Sequence, residues 1–139
     1  MQLLRKACEK VELKVILETG ELTPPEIYKA SLIALHTGAD FIKTSTGKVS
    51  VNATLEAAYI MCTALKDFQQ KTAEKKGFKA AGGVSTAETA VQYYALVNHI
   101  LGKEWLTNKF FRIGASSLCN NLLTDLYKIQ RENQEVTYF

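Results

Sequence analysis

Cysteine is scarce in this sequence: Cys8, Cys62 and Cys119 are three in 139 residues. Their odd number and wide spacing exclude a disulfide framework and a zinc ribbon, leaving reduced, mostly buried thiols as the expectation. Histidine is scarcer still. His36 and His99 have no companion ligands at metal spacing, so they read as packing or surface residues, and no metal or other cofactor is expected. No run reaches the roughly 18 apolar residues of a membrane span. Met1-Gln-Leu-Leu-Arg-Lys-Ala-Cys8 puts charge where a signal peptide needs an apolar region. These absences predict a cytoplasmic protein without a membrane partner. Net charge is also small, +3. The densest basic group, Lys71, Lys75 and Lys76, is interrupted by Glu74 and reads as a solvated helix end, so no nucleic-acid surface is expected. Asn52-Ala-Thr54 matches the glycosylation sequon, but in a cytoplasmic protein the match is accidental and Asn52 serves better as a helix cap.

What the sequence does have is one domain's length and 47% apolar residues, enough for a core. Four apolar runs occur in order: Leu13-Lys-Val-Ile-Leu-Glu-Thr19, Ala39-Asp-Phe-Ile-Lys43, Gly77-Phe-Lys-Ala-Ala81 and Phe110-Phe-Arg-Ile-Gly114. A helix signal follows each. Thr23-Pro-Pro-Glu26 is a capping box with proline at the opening helical positions, and its helix runs to His36 before Gly38. Asn52 or Thr54 caps a second helix, with Ala58, Met61, Cys62, Leu65 and Phe68 on one face. Ser85-Thr-Ala-Glu88 reads as another capping box, ahead of a stripe of Ala90, Val91, Tyr94, Val97 and Leu101. The last helix spans 118–129 with Leu122, Leu123 and Leu126 inward, and residues 1–10 read as the tail of a preceding helix. Regular strand and helix alternation predicts an α/β fold: four parallel strands, each followed by a helix. Functional groups then belong at the carboxyl ends of the strands.

Two lysines stand there. Lys43, in Asp40-Phe-Ile-Lys-Thr-Ser-Thr-Gly-Lys48, and Lys79, in Gly77-Phe-Lys-Ala-Ala-Gly-Gly-Val84, each end an apolar run ahead of a glycine turn. A lysine at its reference pKa of about 10.4 is protonated at neutral pH and cannot attack a carbonyl. Burial and a neighbouring cation both favour the free amine, so the pair reads either as a nucleophilic amine beside a cation or as two solvated strand-end lysines. Three glycine turns, Thr46-Gly47-Lys48, Gly82-Gly83-Val84 and Gly114-Ala-Ser-Ser117, surround them. Glycine lets backbone amides approach an anion, and the last two turns lead into helix N-termini, where a phosphate is favoured. Ser45-Thr-Gly-Lys48 is not a nucleotide-binding P-loop. The motif needs glycine where Ile42 stands and a hydroxyl residue where Val49 stands.

The segments 40–48 and 77–83, together with Phe111-Arg-Ile-Gly-Ala-Ser-Ser117 and Leu17-Glu-Thr-Gly-Glu-Leu22, resemble the deoxyribose-phosphate aldolases, in order and over nearly the whole chain. The resemblance implies a metal-free class I aldolase acting on a small sugar phosphate. In that family the lysine matching Lys43 forms the Schiff base and the one matching Lys79 is its cationic neighbour. The family's phosphate site falls on Gly47, Lys48, Gly82, Gly83, Gly114, Ser116 and Ser117. Ser85 and Ala80 depart from residues common in the family.

The resemblance also implies incompleteness. A closed eight-stranded barrel needs at least about 200 residues, and this sequence matches the last four strand-helix units, a C-terminal half-barrel over 1–130 with a polar tail at 131–139. The family's general acid/base aspartate belongs to the fourth strand, outside the match, and Asp40 stands at the wrong end of its strand. A half-barrel exposes two strand edges and an apolar inner face, so the expected partner is a second copy or a missing N-terminal half. A catalytically incompetent remnant that binds phosphate or self-associates is the competing expectation. Tyr138 is a candidate for the C-terminal tyrosine that some family members use.

Overall fold

The computed structural model describes residues 2–135, with side chains described as far as Arg131. A short helix α1 (Gln2–Ala7) precedes four strand-helix units: β1 (Lys14–Ile16) and α2 (Pro24–His36), β2 (Phe41–Lys43) and α3 (Leu55–Thr72), β3 (Gly77–Ala81) and α4 (Ala87–Leu101), β4 (Phe111–Gly114) and α5 (Leu118–Glu135). The strands form one parallel sheet in the order β1-β2-β3-β4. Sequential neighbours joined by helical crossovers are the arrangement the alternation predicts. The expected α/β half-barrel is therefore present, and β1 and β4 each leave one edge unpaired among the described residues.

The period-2 alternation of a strand divides the sheet into two unlike faces. Ile42, Phe78 and Ala80 are fully buried against the helices, where Ala58, Met61, Cys62, Leu65 and Phe68 of α3 supply the middle of the core. Lys14, Ile16, Phe41, Lys43, Gly77, Lys79 and Arg112 share the opposite face by register. This face is less bare than expected. Phe41 is 1% exposed because the Lys14 Nζ lies 5.2 Å from its ring centroid and the Arg112 guanidinium 4.2 Å, long basic side chains sealing an aromatic with their stems and charge. Beneath it Gly77 is obligatory, since a Cβ there would meet the Phe41 ring at 2.2 Å. Ile16, 40% exposed, is the uncovered apolar residue of this face.

Several boundaries differ from expectation. β1 stops at Ile16 rather than Thr19 because Glu18 adopts a left-handed conformation (φ 56°, ψ 59°) and Thr19–Glu21 form a 3-10 turn. Of the two expected caps for α3, Asn52 and Thr54, it is Thr54 that serves, accepting the Ala57 N–H at 3.1 Å. Thr86, not Ser85, caps α4, accepting the Thr89 N–H at 3.2 Å. Val97 and Leu101 of the predicted α4 stripe are buried and Ala90 packs against the core, but Tyr93 takes the buried position expected of Tyr94, and Val91 and Tyr94 are exposed. On α5 the predicted inward Leu122, Leu123 and Leu126 are exposed; among the described side chains of this helix Leu118 alone is buried, because little of the described chain packs against it. Helix α5 continues to Glu135, and Tyr138 lies outside the described residues. Of the cysteines, Cys62 is buried, Cys8 half-buried and Cys119 exposed.

At the amino ends of the strands, Asp40 joins three segments. Its carboxylate accepts the Leu13 N–H at 2.9 Å and the Arg5 guanidinium at 2.5 Å, and Lys76 stands 3.6 Å away. Partial burial alone would raise its pKa, but the Leu13 N–H, Arg5 and Lys76 outweigh that and hold the carboxyl below the ordinary aspartate range. Asp40 therefore stabilises the fold fully above the unfolded-state pKa and loses that contribution as the pH falls through the lower folded value. Asp40→Asn should cost about 1–2 kcal/mol at neutral pH and flatten the acid limb of a stability-against-pH curve measured by urea unfolding.

Candidate active site

All four strands run the same way, so residues 17–19, 44–47, 82–85 and 115–117 form one rim beyond their carboxyl ends. Parallel register places Lys43 directly beside Lys79, and Lys79 beside Arg112. Both lysine side chains lie on the helix-free face, since each is in phase with Phe41 and out of phase with Ile42 and Phe78. Buried Thr44 locks the two strand ends together just beyond Lys43. Its hydroxyl donates to Ala81 O and accepts from Ala81 N, both at 2.9 Å.

A cavity of about 400 Å³ opens at this rim. Lys43, Gly47, Gly82, Gly83, Gly114, Ser116 and Ser117 line it, so the Schiff-base candidate and most of the expected phosphate residues meet in one place. Thr46, Asn52 and Ser85 complete its polar wall. Ser116 and Ser117 lead straight into α5, which puts that helix's unpaired first-turn amides and the positive end of its dipole at the wall. Gly82 has φ +98°, and a Cβ there would meet Asn52 Cβ at 2.6 Å; conformation and space both demand glycine. Lys48 stands outside the lining; it is exposed, and its N–H donates to Thr46 Oγ1 at 3.2 Å. Lys79 is also outside it. Its chain leans over Gly114, where a Cβ would lie 2.7 Å from Lys79 Cε and 3.4 Å from Nζ, so it borders the cavity from below.

Electrostatics favour a free amine on this face. Partial burial, reinforced by the positive charges of Lys14, Lys43 and Arg112, moves Lys79 below the ordinary lysine range. The expected partition assigns the free amine to Lys43 and the charge to Lys79; the depression resolved here is on Lys79.

Sequence reading missed five residues that shape the site. Lys14 and Arg112 flank the lysine pair, Thr44 ties the end of β2 to β3, Asn52 bonds back to Val49 O within its loop, and Glu18 accepts hydrogen bonds from Ser45 and Thr46. A signal existed for three of them: Lys14, Glu18 and Arg112 are charges set inside or just beyond apolar strands, at alternate positions in phase with Lys43 and Lys79. The hydroxyl and amide residues carry no such mark.

Residues 2–123 match the family described as DeoC/LacD family aldolase. The deoxyribose-phosphate aldolase of Mus musculus is 52% identical over 124 residues, covering 88% of this chain and 39% of its own length. Among solved structures, a protein of Toxoplasma gondii ME49 superposes with a TM-score of 0.77 at 25% identity, over 91% of this chain and 49% of its own. The tetrameric deoxyribose phosphate aldolase of Aeropyrum pernix, 18% identical, shares the fold with a TM-score of 0.66 over 92% of this chain and 47% of its own. The chain thus spans about half or less of the relatives it matches. With the paired lysines at the strand ends and the match over residues 2–123, the chain belongs to the DeoC/LacD family of aldolases.

Proposed function

We propose that this chain carries the Schiff-base half of a deoxyribose-phosphate aldolase, which cleaves 2-deoxy-D-ribose 5-phosphate reversibly to acetaldehyde and D-glyceraldehyde 3-phosphate. The observation that carries this reading is the register pairing of Lys43 with Lys79 at the edge of a glycine- and serine-lined cavity. Family membership and the name of the mouse relative support it. Deoxyribose-phosphate breakdown in the cytoplasm is the setting such a reaction implies.

In this reading the free amine of Lys43 adds to the substrate's aldehyde carbon, and the carbinolamine loses water to give an iminium. The substrate's 3-hydroxyl then loses its proton and the bond between carbons 2 and 3 breaks. Its electron pair flows into the iminium and forms an enamine, while carbon 3 leaves as the aldehyde of glyceraldehyde 3-phosphate. Protonation of the enamine at carbon 2 and hydrolysis return Lys43 and release acetaldehyde. The Lys79 charge opposes protonation of Lys43 before attack. Gly47, Gly82, Gly83, Gly114, Ser116 and Ser117 take the phosphate through amides and hydroxyls, and Lys48 adds a positive charge at the rim.

The open edges of β1 and β4 and the exposed Ile16 leave a sheet face for further chain to cover. We propose that the active assembly supplies that cover, from an N-terminal half or from a second copy in a homo-oligomer. The proton acceptor for the 3-hydroxyl belongs to that cover.

Incubation with acetaldehyde and borohydride should leave a reduced two-carbon adduct that peptide mapping places on Lys43 and that Lys43→Ala abolishes. A folded protein with no adduct, or an adduct on Lys79 alone, would refute the assignment. Lys79→Leu removes a cation that opposes Lys43 protonation, so trapping at pH 7 should slow about tenfold per unit of lost coupling. The rate should recover in alkaline buffer, where Lys43 deprotonates without help. Trapping by Lys79→Leu at the parent rate at pH 7 would remove Lys79 from the mechanism.

A further inference from the structure

Glu18 is placed as no ordinary strand-end carboxylate would be. It holds a left-handed backbone conformation, φ 56° and ψ 59°, which is unfavourable for a residue with a Cβ and persists only where the surroundings enforce it. The other non-glycine residue with positive φ among the described residues, Ala73, closes α3, a common place for that conformation. Glu18 closes no α-helix. It interrupts β1 beside the Schiff-base candidate, and the backbone on both sides is pinned to β2: Leu17 N donates to Lys43 O and Thr19 N to Thr44 O, each at 3.0 Å.

What the conformation achieves is contact with the next strand's exit loop. The Glu18 carboxylate accepts the Ser45 hydroxyl at 2.5 Å, the Thr46 N–H at 3.1 Å and 3.2 Å, and the Thr46 hydroxyl. Ser45 Oγ also accepts the Gly47 N–H at 3.0 Å and lies 2.9 Å from Asn52 Oδ1. Asn52 in turn lies against Gly82. One carboxylate thus begins a chain of contacts that joins the ends of β1, β2 and β3 around the cavity. It also lies close enough to Lys43 for its negative charge to be felt there, although the Ser45 and Thr46 hydrogen bonds are the larger reasons why its own pKa is lowered.

We infer that Glu18 is a positioning residue: its carboxylate holds the loop from Lys43 to Gly47, and with it the direction in which Lys43 enters the cavity. The backbone strain at Glu18 is the cost of that placement. The inference rests on the aldolase reading for what Lys43 does, but the anchoring itself is a separate physical statement. A misplacement of about 1 Å in a reacting group can slow a reaction roughly a hundredfold, and Thr44 alone fixes the strand without fixing the loop beyond it.

Glycine at this position distinguishes anchoring from a merely structural role. Glu18→Gly relieves the left-handed strain but removes the carboxylate, so the melting temperature should hold or rise. Borohydride trapping of acetaldehyde on Lys43 should nevertheless slow roughly 10- to 100-fold. Glu18→Gln keeps an acceptor oxygen for the Thr46 N–H and should retain more of the rate than Glu18→Gly. Hydrogen exchange at the Thr46 amide reads the anchor without any chemistry. It should be protected in the parent and exchange about tenfold or more faster in Glu18→Gly. Parent-like trapping and exchange in Glu18→Gly would overturn the inference, as would a falling melting temperature accompanied by unchanged Thr46 exchange. Should the parent itself trap no acetaldehyde, the aldolase reading fails, while Thr46 exchange still decides whether Glu18 holds the loop.

Discussion

Parallel pairing of β2 with β3 sets Lys43 beside Lys79, and the molecule must hold two like charges where each opposes the other. At Lys79 burial ranks first among the causes that disfavour the charged form, and the positive charges of Lys14, Lys43 and Arg112 add to it. The cationic sheet face therefore disfavours the protonated form of Lys79.

A sheet can tolerate such a face only if its other face is strongly apolar. Ile42, Phe78 and Ala80 are fully buried, and complete burial of a large apolar side chain contributes about 1.5–3 kcal/mol. The helices are matched to that surface: α3 brings its small and medium residues, Ala57, Ala58, Met61 and Leu65, into one core with Ile42, Phe78 and Ala80. Phe41 is the exception that links the two faces. It belongs to the cationic side by register, yet it is buried because Lys14 and Arg112 close over its ring and Gly77 leaves room beneath it. The same cations that depress Lys79 thus also cover apolar area.

The parts legible in the sequence are those fixed by local chemistry. Thr23-Pro-Pro-Glu26 states the start of α2 outright: Glu26 accepts the Thr23 N–H at 2.8 Å, and the two prolines occupy positions whose N–H groups need no partner. The apolar runs show the strands, and their phase shows the two lysines on one face. What stayed hidden depends on contacts distant in sequence. Ser85 and Thr86 are equally good caps on paper, and the choice of Thr86 follows from where β3 releases the chain. The exposure of Leu122, Leu123 and Leu126 contradicts a sound amphipathic pattern, because a stripe specifies a buried face only when something lies against it. Glu18 looks like a strand residue; its turn into the left-handed region becomes intelligible only with Ser45 and Thr46, 27 and 28 residues away.

Charge also constrains whatever covers the open face. Lys14, Lys43, Lys79 and Arg112 stand on it by register, and the carboxylates set against them are few. Glu12 pairs with Arg112 at 3.0 Å, and Glu18 is already occupied by Ser45 and Thr46. A purely apolar cover would strip water from cations left without partners, which costs several kcal/mol for each buried charge. Two such faces pressed together would double the repulsion. A cover compatible with this sheet must therefore either bring a carboxylate to Lys14 or leave a hydrated space above Lys43 and Lys79. An anionic substrate entering beside the Gly82-Gly83 turn and the start of α5 would need the same space. The charge that makes this sheet face awkward to cover with apolar chain is charge that would attract an anion.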